Sequence, residues 1–115
     1  MARSTIAGVL FVLGIAATSA TILAGGGCAG AQTPTPVESG RQVFLKNGCH
    51  GCHTIGAMGT PIGPDLSKIG ARHDTAYLQR WLRDPAAQRP RAHMPQLELT
   101  EQDIRTLSAY LASLK

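Results

Sequence analysis

The sequence predicts an all-α fold, a small domain of three main helices and long loops. Three observations carry this. Apolar residues recur at helical spacing in three separate stretches, and each stretch opens near a residue able to cap a helix. No stretch alternates in a convincing two-residue period. The segments between the helices are rich in glycine and proline, and loops of that length in so small a domain imply that they wrap something.

The chain opens on a leader. Residues 1–31 begin with the lone cation Arg3 and run apolar from Ile6 to Ala24. As a helix that run is about 28 Å long, just enough to cross a bilayer. A short cationic start, an apolar middle and small residues after it also fit a secretory signal. Three fates are open: cleavage after Ala31, cleavage before Cys28 with lipid placed on that cysteine, or retention as a membrane anchor. All three put the rest of the chain outside the cytoplasm, anchored to or secreted from a bacterial inner membrane on its periplasmic side. Residues 32–36, "QTPTP", read as an extended spacer, because alternating prolines cannot continue a helix. The folded domain is then 37–115.

The first helix is expected from Val37 to Asn47, with Glu38 or Ser39 near its start and Gly40, Val43 and Phe44 on one face. Gly48 can take the left-handed conformation that ends it. Residues 54–70 should form a loop, neither helix nor strand. A second helix is expected over 74–84, capped by Asp74, stopped by Pro85, and carrying Tyr77, Leu78, Trp81 and Leu82. After another irregular loop, Thr100 can cap a final helix with Asp103 in the capping-box position. Ile104, Leu107, Tyr110, Leu111 and Leu114 make its apolar face.

Composition narrows the chemistry. The chain has two Phe, two Tyr and one Trp in 115 residues, so an all-protein core would be thin and a buried cofactor would supply the missing apolar surface. The net charge is +4. Five arginines fall between Arg72 and Arg91, but no aromatic residues interleave with a basic stripe, which argues against nucleic acid. The bland reading of these arginines is a solvated surface; the other is a patch that steers acidic partners.

The chemistry concentrates at residues 48–54, "GCHGCHT". Cys49, Cys52 and His53 match C-x-x-C-H, the pattern of c-type haem attachment. Each thiol adds to a haem vinyl group, and the histidine after the second cysteine donates a nitrogen to the iron. The rivals are weaker. A structural zinc site needs four ligands, and no second cysteine pair stands at similar spacing. A redox dithiol would want a βαβ context, and a plain disulfide would not explain His53. His50 fills a spacer position and is expected to be exposed. Met94 leads as the second axial ligand because it lies in an irregular loop before the last helix; His93 is next, while Met58 and His73 are better read as structural residues.

Here the chain resembles the class I, single-haem cytochromes c, in an exported or membrane-anchored bacterial form. The matching residues are Gly40 and Phe44 before the haem motif, Gly63-Pro64-Asp65-Leu66 after it, Met94-Pro95, and Leu107 with Tyr110 in the last helix. The resemblance implies one covalent haem c and a close crossing of first and last helices, eased by Gly40 and locked by the two aromatics. It also implies that the Pro64 carbonyl accepts the proton on the far nitrogen of His53. Trp81 resembles a haem-packing aromatic, with ordinary core as the equal alternative. Phe44, Leu66, Trp81 and Leu97 are expected to bury the haem.

The function implied is electron transfer outside the cytoplasm in a respiratory or dehydrogenase-linked chain, with redox proteins as partners and no small-molecule substrate. The chain is then no enzyme but an electron carrier, with His53 and Met94 as iron ligands. "GPDLSKIGAR" and "YLQRWLRDP" also look like haem c domains fused to or associated with terminal oxidases. The alternatives are therefore a haem c subunit of a larger oxidase or dehydrogenase complex, or an open-site haem peroxidase or gas sensor.

Overall fold

A proline opens the first helix of the computed structural model, which describes residues 30–115. Helix α1 spans Pro36–Lys46 and is capped by Thr35, not by Glu38 or Ser39. The Thr35 hydroxyl accepts from the Glu38 backbone N–H, and the Glu38 carboxylate accepts from the Thr35 N–H at 2.8 Å. The last proline of the expected spacer is thus the first residue of a helix. Its missing N–H is one that no helical partner would have satisfied, and its fixed φ suits the first turn. The leader, with Cys28 and its three fates, lies outside the described residues.

Gly48 ends α1 with φ +68°, as expected. The next segment departs from the expected loop. Strands β1 (Thr54–Ile55) and β2 (Met58–Gly59) pair antiparallel, Thr54 opposite Gly59 and Ile55 opposite Met58. Two-residue strands are too short for any alternation to register in the sequence.

Helix α2 spans Thr75–Arg83, with the Asp74 carboxylate accepting from the Tyr77 N–H at 2.7 Å. Pro85 does end α2, but it also opens a short helix α3 (Pro85–Gln88), capped by Asp84. The same N1 preference for proline operates twice in this chain. Helix α4 spans Glu101–Ser113 with the expected capping box between Thr100 and Asp103.

The core joins three helices: Val43 and Phe44 of α1, Leu78 and Leu82 of α2, and Ile104, Leu107, Tyr110 and Leu111 of α4. The expected crossing of α1 and α4 is present. A Cβ on Gly40 would lie 1.9 Å from the Thr106 carbonyl oxygen, so only glycine lets the two backbones meet. Phe44 and Tyr110 pack edge to face at 6.0 Å and 64°. A second close approach has no signal in the sequence pattern. A Cβ on Gly70 would lie 2.1 Å from the Ala112 carbonyl oxygen. There the Gly70 N–H donates to Leu114 and the Gly70 carbonyl accepts from Lys115 Nζ at 2.9 Å, pinning the C-terminus.

Candidate functional site

The left-handed turn at Gly48 feeds a single 3-10 turn, Cys49–Gly51. Its hydrogen bonds run from the N–H groups of Cys52 and His53 to the Cys49 carbonyl, at 3.2 and 2.9 Å. The turn presents both thiols free, Cys49 half-buried and Cys52 exposed. Burial pushes the Cys49 thiol above its ordinary pKa, with the neighbouring Cys52 adding to the rise. His50, expected to be exposed, is half-buried, and its Nδ1 is buried without a hydrogen-bond partner. The Thr60 N–H donates to the His50 carbonyl, drawing the spacer inward against the hairpin.

His53 Nδ1 lies 2.7 Å from the Pro64 carbonyl oxygen. A carbonyl can only accept, so Nδ1 carries a proton, and in the neutral ring the lone pair is then on Nε2. Two glycines make room for this. A Cβ on Gly63 would come within 2.8 Å of the ring carbon Cε1, and one on Gly59 would meet the His53 carbonyl. Gly59 also sits at φ +105°, where other residues are strained. The spacing of these two glycines in the sequence does not say which side chain they face.

Beyond Pro64 the chain is tied back to the hairpin. One oxygen of Asp65 accepts from Thr54 Oγ1 (3.1 Å), the Ser67 N–H (3.1 Å) and Ser67 Oγ (2.6 Å). Ser67 Oγ accepts from the Gly56 N–H at 2.7 Å, and the Leu66 N–H donates to the Thr54 carbonyl at 2.9 Å. The Ser67 hydroxyl and N–H hold the Asp65 carboxyl below the usual carboxylate range, with lesser help from Thr54 and the charge of Arg72.

A second group forms around Met94, which is half-buried against the core. Trp81 Nε1 donates to Met94 Sδ at 3.3 Å. Gln96 Nε2 donates to the Arg83 carbonyl at 3.2 Å, tying the same loop to the end of α2. His93 is exposed, and the His73 ring stacks on Tyr77 at 4.0 Å. Met58 packs half-buried against the core. Arg83 is not a free surface cation: its guanidinium grips the Glu101 carboxylate at 2.7 and 3.0 Å. Among the described residues no group of three or more His, Cys, Asp or Glu side chains gathers as a metal-ion site.

Comparison with known proteins decides the family. The Cytochrome c family model matches residues 37–115. The chain belongs to the cytochrome c family. The cytochrome c domain is 39% identical over 92 residues to "Cytochrome c oxidase subunit 2" of Alkalihalophilus pseudofirmus, covering 72% of this chain and 27% of that one. It is 32% identical over 88 residues to a nitric oxide reductase subunit of Paracoccus denitrificans, covering 69% of this chain and 58% of that one. The chain thus spans only part of the length of these relatives.

Cytochrome c membership implies a covalent haem c, and the residues present fit one. Two free thiols flank a turn, and the next residue is a histidine with its proton committed to Pro64 and its other nitrogen free. Cys49, Ile55, Leu66, Tyr77, Met94 and Leu99 are packed against the core yet only partly covered, which leaves apolar surface for a large flat ligand. Leu97 and Trp81 are likewise half-open. Phe44 is the exception to the expected haem lining. It is 1% exposed, already covered by protein alone, so it has no surface left to offer a cofactor and serves the helix crossing instead.

Proposed function

We propose that this cytochrome c domain carries single electrons outside the cytoplasm, using one haem c attached at Cys49 and Cys52 and ligated by His53 and Met94. The observation that carries this reading is the 2.7 Å bond from His53 Nδ1 to the Pro64 carbonyl. It fixes the tautomer that leaves Nε2 as a ligand, and it raises the ring's basicity. Haem c would supply a one-electron iron couple, and thioether ligation would favour its reduced state. The chain's own part is to hold both ligand side chains in place through Pro64 and Trp81, so that little rearranges when charge changes. Arg72 and Arg80, both exposed, could steer an acidic partner, whereas Arg83 is compensated by Glu101.

The test is an intact mass and a spectrum of the protein produced with cytochrome c maturation machinery. One haem increment, lost in a Cys49→Ser/Cys52→Ser variant, is the expected result. The ferric form should show the red charge-transfer band of an iron–methionine bond, and Met94→Ala should abolish it and open the reduced protein to carbon monoxide. A mass without haem would overturn the reading; rapid, tight carbon monoxide binding to the unaltered protein would favour the open-site alternative.

A second reading places the domain as the haem c part of a larger respiratory complex. Its support is that the relatives are described as subunits of an oxidase and a nitric oxide reductase, and that the match covers only a portion of each. A tether through the leader, retained or lipidated at Cys28, fits either reading. Among the described residues no helix is long and apolar enough to cross a membrane. Co-purification of the haem protein with an oxidase or reductase from solubilised membranes would separate the two readings.

A further inference from the structure

We propose that Asp65 is a positioning residue for the proximal histidine, acting through the peptide between Pro64 and Asp65. The inference rests on the reading of His53 as a haem ligand. The carbonyl that accepts from His53 Nδ1 lies in the peptide between Pro64 and Asp65. On its N-terminal side the proline ring fixes φ and the Gly63 N–H is tied to the Cys52 carbonyl, so the freedom left to it is rotation of the Pro64–Asp65 peptide, which Asp65 can restrain. Asp65 is the next residue, and its Oδ1 gathers three donors, Thr54 Oγ1, the Ser67 N–H and Ser67 Oγ, between 2.6 and 3.1 Å. Thr54 is the residue after His53, so one carboxylate oxygen links both ends of the segment that the His53–Pro64 bond closes. The Leu66 N–H to Thr54 carbonyl bond and the Gly56 N–H to Ser67 Oγ bond brace the same link from the backbone.

Three donors on one oxygen call for a charged acceptor; a neutral amide oxygen offers weaker lone pairs and no charge. The knot is exposed, so it competes with water and its contribution is that of one or two ordinary hydrogen bonds rather than a buried network. Loosening it should free the Pro64 carbonyl to swing away from Nδ1. The ring then becomes a weaker donor through Nε2, which disfavours the oxidised iron and raises the reduction potential.

The test uses the haem-loaded protein and reads the bond itself. Solvent exchange of the His53 Nδ1–H proton is followed by NMR in the reduced state, together with the reduction potential. In Asp65→Ala, exchange should quicken by about two- to tenfold, the factor that one hydrogen bond's net contribution sets, while amides of α4 stay unchanged. Ser67→Ala keeps the Asp65 charge and removes the hydroxyl. It should shift exchange and potential in the same direction, which separates positioning from simple loss of a negative charge. Asp65→Asn should restore part of the protection. Unchanged exchange in both Asp65→Ala and Ser67→Ala, with haem bound normally, would overturn the proposal. Failure to attach haem in the unaltered protein would overturn the site reading, and this inference with it.

Discussion

At the scale of single residues, the two side chains proposed as iron ligands are held in different ways. His53 is fixed by a backbone carbonyl, which no side-chain substitution removes directly. Met94 depends on a side chain: the Trp81 indole N–H points at its sulfur. Sulfur has a second lone pair, so accepting this bond still leaves one for a metal. Trp81→Phe keeps most of the ring and deletes the donor. The expected outcome is a haem protein that folds normally but lets an external ligand such as imidazole compete about two- to tenfold better for the iron, the factor of one lost hydrogen bond. A binding titration of the oxidised protein checks this. Equal affinities in Trp81→Phe and the unaltered protein would show that the indole only fills space.

At the scale of elements, the crossing of α1 and α4 organises the domain, and a single glycine permits it. Gly40→Ala would drive a methyl into the Thr106 carbonyl and the Tyr110 Cβ. These are backbone and near-backbone atoms that cannot move aside alone. The expected cost is about 1–3 kcal/mol, as for overpacking a tight core. A denaturant midpoint measurement checks it, and Ser39→Ala beside it should shift stability by no more than about 0.5 kcal/mol. This crossing was legible because Gly40, Phe44, Leu107 and Tyr110 sit at helical spacing and match a family pattern. The caps at Asp74 and Thr100 were legible for a local reason: capping needs only residues three apart. What escaped was non-local or too short. Pro36 and Pro85 read as breakers because proline is hostile to helix interiors, yet both occupy the first turn, where that hostility vanishes. Gly59, Gly63 and Gly70 each face a partner set by the tertiary fold, which spacing does not encode. Phe44 is expected both at the helix crossing and against the haem, because an aromatic near the motif fits either role; only its burial by protein separates the two.

At the scale of the whole molecule, four carboxylates at the joints of the fold share one electrostatic character. Thr35 holds Glu38 below its usual range, Ser67 holds Asp65, Arg83 holds Glu101, and Thr100 holds Asp103. They occupy the start of α1, the segment after Pro64, the contact between α2 and α4, and the start of α4. Each has a folded-state pKa depressed below its unfolded value, so each contributes stability that is full above the unfolded pKa and vanishes as pH falls through the folded one. The unfolded values are about 3.9 for Asp and 4.3 for Glu. Thermal stability of the haem-loaded protein should therefore stay level with respect to these groups from neutral pH down to about 5, then fall progressively below about 4. Three of them are solvent-exposed and Asp103 is only half-buried, so the fall is shared among them and no one group dominates. Asp103→Asn keeps an oxygen acceptor at the α4 cap but removes the titrating charge. Its melting temperature should be lower than that of the unaltered protein at pH 7 and converge toward it as the pH drops through the acid limb. Parallel curves, with the same gap at every pH, would mean that the Asp103 charge is not part of what holds α4 to its start.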